Sequence, residues 1–168
     1  DQDKIRAGLI ALTQQALADY DQMREREGEK LADDVRSRAA VIETLVTEVE
    51  KRSPERVAEY REKLLARMRE VLESTDIDET RIVTEAAIYA DKTAVDEETV
   101  RLRSHLHQLD GMLNEVKPVG RKLDFLVQEM NREANTIGSK GNDIEQARNV
   151  VEIKAELEKI REQIQNIE

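Results

Sequence analysis

With 168 residues and a net charge of −10, the chain is sized for one domain or two small ones. The absence of cysteine excludes a disulfide framework and a thiolate zinc site and fits a reducing cytoplasm. One Phe, three Tyr and no Trp argue against an all-β protein, and abundant Ala, Leu, Glu, Lys and Arg predict an all-α one built of long helices.

No apolar run approaches the roughly 20 residues that cross a bilayer, so no membrane association is expected. No signal peptide is visible either. A chain that starts at Asp1 without Met and runs directly into a helical pattern is expected to be a piece of a longer protein. Acids outnumber bases in residues 1–75, 76–140 and 141–168 alike. That counts against an unaided grip on nucleic acid, where phosphate contacts dominate affinity.

In chain order, Ile5, Leu9, Leu12 and Ala16, then Leu31, Val35, Ile42, Leu45 and Val49, recur at helical spacing and predict a helix from about Lys4 to Glu50. Gly28 is a possible break in it. Ser53-Pro54 reads as an N-cap with Pro at the first helical position. A second helix to about Glu73 then turns Val57, Tyr60, Leu64, Met68 and Val71 inward and folds back as an antiparallel hairpin. Ser74-Thr75-Asp76 is a turn and Asp78 a cap. Residues 79–91 form a short helix that is apolar on more than one side, hence expected to be buried.

Asp96 should cap a helix to about Asn114, with Leu102, Leu106, Leu109 and Leu113 as its stripe. Pro118 marks the start of the next helix, about 119–136, and Gly138 and Gly141 bracket a loop. The last helix runs from about Asp143 to the end with a seam at Val150, Ile153, Leu157, Ile160, Ile164 and Ile167. The expected fold is therefore all-α: a long antiparallel helical hairpin over 1–75, then over 76–168 a bundle of shorter helices with a long C-terminal helix.

The helix at 119–136 departs from a plain amphipathic pattern. Leu123, Leu126, Val127, Met130, Ala134 and Ile137 share an apolar face. Arg121, Asp124, Gln128, Asn131, Arg132 and Asn135 cluster opposite, and the two Asn, the Gln and an Arg among them could bind phosphate or position water. Glu129 and Glu133 lie one turn apart at the edge, in line with Lys122, and carboxylates at that spacing can hold one divalent cation.

On the preceding helix Glu98, Arg101, His105 and Gln108 form a stripe beside the leucines. His105 and His107 are the only histidines, and an imidazole can transfer protons or ligate a metal. Glu85 and Asp91 sit in an otherwise apolar segment and need partners, either a salt bridge to Arg101, Arg121 or Lys122 or a shared metal site. No phosphate-binding loop, dinucleotide fingerprint, HExxH or Ser-His-Asp order is present, so no nucleotide cofactor is expected.

Three stretches resemble the YicC family: Asp78 to Lys92 (DETRIVTEAAIYADK), Asp96 to His105 (DEETVRLRSH) and Gly120 to Lys140 (GRKLDFLVQEMNREANTIGSK). The ending Glu152 to Glu168 is similar too, and the likeness covers essentially the whole chain. Leu109 stands where that family's pattern leads one to expect an aromatic. The resemblance implies a stress-associated, divalent-metal-dependent endoribonuclease, using Mn²⁺ or Mg²⁺, that forms ring-like homo-oligomers and carries an extra N-terminal domain. On that reading Glu129 and Glu133, helped by Asp91, Glu85 or Glu98, hold metal. His105 moves a proton. Arg101, Arg121, Lys122, Asn131, Arg132, Asn135 and Lys140 meet the RNA. The alternative is a non-catalytic helical oligomerisation or RNA-adaptor module.

Overall fold

A computed structural model of the chain describes residues 2–72, 78–115 and 119–166. Five helices account for nearly all of them: α1 (Gln2–Leu72), α2 (Glu79–Thr93), α3 (Asp96–Leu113), α4 (Gly120–Ser139) and α5 (Ile144–Ile164). The all-α expectation holds. The turn at Ser74-Thr75-Asp76, the helix start at Pro118 and the seam residue Ile167 fall outside the described residues.

The expected hairpin over 1–75 is absent. Residues 2–72 form one helix of 71 residues that passes through both Gly28 and Pro54. Pro54 removes one backbone hydrogen bond, and an interior proline usually kinks or ends a helix. Here the flanking turns are held from outside. Val49 and Arg56, on either side of the proline, are both buried, and Arg52 binds Asp143 at 2.8 Å. Tertiary contacts on both sides of Pro54 outweigh the local preference, while its ring faces solvent.

The middle of α1 completes a four-helix bundle. α1 packs on α3 and α5, α3 on α4, and α4 on α5. Cross-helix pairs show that neighbours run antiparallel: Arg36–Asp110 and Arg103–Glu50 between α1 and α3, Arg38–Glu156 and Arg52–Asp143 between α1 and α5. This is the up-and-down arrangement in which each amphipathic helix buries one stripe. The core consists of Val35, Ile42, Val46 and Val49 of α1, the predicted leucines 102, 106 and 109 of α3, the whole apolar face predicted for α4, and Val150, Ile153, Leu157, Ile160 and Ile164 of α5. Gly138 is not in a loop but in the last turn of α4. A Cβ there would stand 3.2 Å from Val150 Cγ1, so its smallness lets α4 close on α5.

α1 overshoots the bundle at both ends. Beyond its C-terminal side α2 lies along it, with Tyr60 and Tyr89 stacked at 4.0 Å. α2 is not buried all round as expected. Ile82, Ala86 and Thr93 are buried, but Val83 and Ile88 face solvent because, among the described helices, only α1 covers it. Val71, expected inward, is likewise exposed. At the other end residues 2–27 are exposed throughout, so the stripe of Ile5, Leu9 and Leu12 has no cover among the described residues.

Asp78 caps α2 through a bond from the Thr80 amide, and Asp143 caps α5 through one from Gln146. Asp96 is not a cap: Val95 holds that position, and Asp96 is the first residue of α3. None of the described helices is long and apolar enough to cross a membrane.

Candidate functional site

The polar stripe predicted on α3 and the Glu pair predicted on α4 meet. Leu102, Leu106 and Leu109 seat α3 in the core, which turns Glu98, Arg101 and His105 toward α4. The core face of α4 likewise puts Glu129 and Glu133 at the edge facing α3. Arg101 Nε donates to Glu133 Oε1 at 2.9 Å, and its Nη2 donates to Glu98 Oε1 at 3.1 Å. Lys140, just past the end of α4, donates to the other Glu98 oxygen at 2.9 Å. Nη1 of Arg101 reaches Glu97 at 3.1 Å on the solvent side.

Glu98 and Glu133 are buried, at 4 % and 7 % exposure. Two buried acids facing one arginine and one lysine form a charge-balanced cluster, the condition under which carboxylates stay ionised inside a protein. Burial is the largest influence on Glu98 and opposes its charge. The Lys140 hydrogen bond, the backbone and the Lys140 and Arg101 charges together overcome it and hold the carboxyl below its ordinary range. The Glu133 hydrogen bond is the main reason the Arg101 guanidinium is held well above its ordinary value.

The Arg101–Glu133 bond sets the antiparallel register of α3 and α4. One turn further along, four residues after Arg101 and four before Glu133, His105 and Glu129 come level. His105 is half-buried, and its Nδ1 is buried without a hydrogen-bond partner among the described residues. Glu129 is partly exposed, with Arg132 the nearest cation at 3.9 Å.

The other predicted residues lie apart from this cluster. Glu85 and Asp91 are exposed on α2; Glu85 lines a groove with Leu64, Met68 and Arg81 rather than joining α3 and α4. The expected five-acid metal set is therefore not assembled, and among the described residues no group of three or more His, Asp or Glu is placed to hold an ion. The donor chemistry agrees, since both Glu98 oxygens and one Glu133 oxygen already accept hydrogen bonds from Arg101 and Lys140. Lys140, expected at phosphate, is committed to Glu98, and Asn135 accepts from Lys154. Arg121, Lys122 and Arg132 are exposed, and Asn131 is partly buried with its Oδ1 unpartnered.

A second buried polar group escapes pattern reading. Arg56 of α1 is 3 % exposed and donates to Gln146 Oε1 at the start of α5. Gln146 Nε2 in turn donates to the Ile137 carbonyl at 2.6 Å. The guanidinium lies against Gly141 so closely that a Cβ there would fall 1.7 Å from Nη2. This clasp ties the α4–α5 loop to α1, and the loop carries Lys140. Its one sequence trace is Gln146, a polar residue occupying the seam position one turn before Val150.

The fold and the site define a class: an up-and-down helical bundle with a buried, charge-compensated polar cluster and a partly buried imidazole in one interhelical seam. Within that class the chain belongs to the family described as endoribonuclease YicC-like, C-terminal, whose model matches residues 49–168 and so spans every candidate site residue. Among its relatives is the probable endoribonuclease YicC of Clostridioides difficile (strain 630), 49 % identical over 100 % of this chain and 58 % of the relative. Another is the probable endoribonuclease YicC of Haemophilus influenzae (strain ATCC 51907 / DSM 11121 / KW20 / Rd), 37 % identical over 100 % of this chain and 58 % of the relative. The chain thus spans less than two thirds of the length of these curated relatives.

Proposed function

We propose that the chain is the helical part of a cytoplasmic endoribonuclease, and that the α3–α4 seam is where its RNA phosphodiester chemistry is organised. The observation that carries this reading is the convergence of Glu98, Arg101 and Glu133, with His105 one turn along the same seam, within a family whose relatives are described as probable endoribonucleases. His105 is the proton-transfer group, because it is the half-buried imidazole of the seam. Glu129, level with it and partly exposed, is the carboxylate available to take or orient a proton. Arg101 is a positioning residue that holds the two helices in register, and Arg121, Lys122 and Arg132 are the exposed cations to which phosphate would come.

The divalent metal implied by the family resemblance has no fitting donor set among the described residues of this seam, where both Glu98 oxygens and Glu133 Oε1 are taken up by Arg101 and Lys140. No step is therefore drawn through a metal. The test is cleavage of labelled RNA by the longer protein, with Mn²⁺, with Mg²⁺ and with chelator, for wild type, His105→Asn and Glu133→Gln. Loss of cleavage in His105→Asn with RNA binding kept supports the assignment. Full activity in both variants would remove the seam from the chemistry. Activity that vanishes with chelator would show that the chemistry needs a metal.

A non-catalytic assembly module is the second reading, and a specific observation favours it. Ile5, Leu9, Leu12, Leu17, Tyr20 and Met23 stand at 56–71 % exposure on the N-terminal end of α1, and monomers rarely leave so long an apolar stripe uncovered. Homo-oligomerisation, which the resemblance also implies, would cover it. Sedimentation of the chain before and after Leu9→Glu and Leu12→Glu decides: a fall in mass supports assembly through this stripe, and an unchanged mass opposes it.

A further inference from the structure

Phe125 is the only phenylalanine of the chain and is 63 % exposed. α4 seats Leu123, Leu126, Val127 and Met130 in the core, yet the largest apolar side chain of that segment projects into solvent. Its neighbours on the outward line follow at helical spacing: Arg121 four residues before, Gln128 three after, Arg132 seven after, Asn135 and Ser139 beyond. Arg132 is 76 % exposed, its nearest acid 3.9 Å away, beyond hydrogen-bond reach. Arg121 makes no ion pair among the described residues. Of the acids on this helix, Asp124 is taken up by Gln128 at 2.8 Å and Arg161 at 3.2 Å, and Glu129 turns toward α3. Further along the same helix, starting one turn after Phe125, Gln128, Asn131, Arg132, Asn135, Thr136 and Ser139 line an open depression of about 490 Å³.

We propose that this face is a stacking platform for single-stranded RNA: one base lies on the Phe125 ring, flanking phosphates meet Arg121 and Arg132, and the amides and hydroxyls of the depression take the next base edge. The proposal rests on the RNA reading above and deepens it by naming the strandedness and the residue. The two cations lie about 6 Å and about 10 Å along the helix axis on either side of the ring, so a strand crossing it meets positive charge in both directions. A lone ring among Arg, Gln, Asn and Ser suits a nucleobase, which every aromatic can stack against. A protein partner would call for continuous apolar surface, which this face lacks and the free end of α1 has. Stacking requires a base whose face is uncovered, which a duplex does not offer; duplex RNA is held through its backbone and 2′-hydroxyls instead.

The experiment uses the 168-residue chain and two probes: an unstructured fluorescein-labelled 12-mer RNA carrying one 2-aminopurine, and the duplex of the same length. Anisotropy at low salt gives affinity, 2-aminopurine quenching reports stacking, and sedimentation gives mass. Phe125→Ala is expected to weaken single-strand binding roughly ten-fold or more and abolish the quenching, to leave duplex binding within about two-fold, and to leave the mass unchanged. Phe125→Tyr restores both signals. Arg132→Gln weakens both probes and flattens the salt dependence. Unchanged single-strand affinity in Phe125→Ala, or an equal loss on duplex, overturns the platform while leaving the RNA reading intact. A fall in mass assigns the face to self-association instead. No binding of the single strand by wild type overturns both the platform and the RNA reading of this chain.

Discussion

Replacing Gly141 by alanine tests the clasp between α1 and the α4–α5 loop. The added Cβ would meet Arg56 Nη2 at 1.7 Å, Cζ at 2.7 Å and Nη1 at 3.0 Å, separations that force something to move. An arginine tip usually swings away at little cost, but this one is 3 % exposed and bound to a Gln146 that is itself 1 % exposed. Displacing the guanidinium breaks a charged hydrogen bond and leaves the Gln146 oxygen buried without a donor. Such a loss typically costs about 1.5–3 kcal/mol. Nη2 already lacks a hydrogen-bond partner among the described residues, so nothing further is lost there. We therefore expect Gly141→Ala to destabilise the chain by about 2 kcal/mol, or roughly 4–8 °C in melting temperature for a domain of this size. Arg56→Met removes the obstacle, and Gly141→Ala placed on that background should cost less than about 0.5 kcal/mol. Urea denaturation of the four proteins closes the double-mutant cycle. Strict additivity would refute the contact, and so would a single-mutant cost below about 0.5 kcal/mol.

Three further outcomes follow from the same structure. Glu98 and Asp143 are held below their ordinary values of 4.5 and 3.8, Glu98 by Lys140 and Arg101 against its burial and Asp143 chiefly by the Arg52 hydrogen bond. On acidification the unfolded chain takes up those protons first, so their stabilisation is full above the ordinary values and fades as pH falls through the folded ones. Denaturation midpoints from pH 6 downward should decline below about pH 4.5, and less steeply in Glu98→Gln; an identical slope in the variant would discount Glu98. Pro54→Ala should raise stability, by up to the roughly 3 kcal/mol that separates proline from alanine in a helix interior, whereas a proline that started a separate helix would give little change or a loss. Met130→Ala, at a site with 0 % exposure, should cost about 2–5 kcal/mol in urea denaturation; a cost under about 1 kcal/mol would mean that α4 does not seat there.

What the sequence disclosed divides by the reach of the interaction. The seams of α3, α4 and α5 were legible because a 3.6-residue period is a local property, and the α3 polar stripe faced the α4 glutamates because both were defined relative to those seams. The helix through Pro54 was not legible. Ser-Pro is a sound local starting signal, and only contacts from Asp143 and Gln146, some ninety residues away, overrule it. α2 misled in the opposite way: Val83 and Ile88 look like core, but burial depends on how many helices surround an element, which its own composition cannot say. At the site, carboxylates four residues apart suggested a divalent cation. That Glu133 and Glu98 share Arg101, and that Lys140 completes the balance, depends on α3 and α4 lying antiparallel in one register. Arg56 left almost no trace because its partners are a glutamine and a glycine rather than an acid.

At 1.5 Å per residue α1 is about 105 Å long, and only its middle and far parts are clamped by other helices. Residues 2–27 are thus joined to the bundle by angle as well as by distance. Inserting or deleting one residue near Gly28 would move everything before it by only about 1.5 Å but would turn it by about 100° around the axis. Leu9 and Leu12 would then point nearly at right angles to their present direction. Changes of seven or eleven residues, close to whole numbers of turns, would keep the heading and alter only the reach. Along this stretch the helix should tolerate many substitutions and few single-residue changes of length, because it works as a dial as much as a spacer.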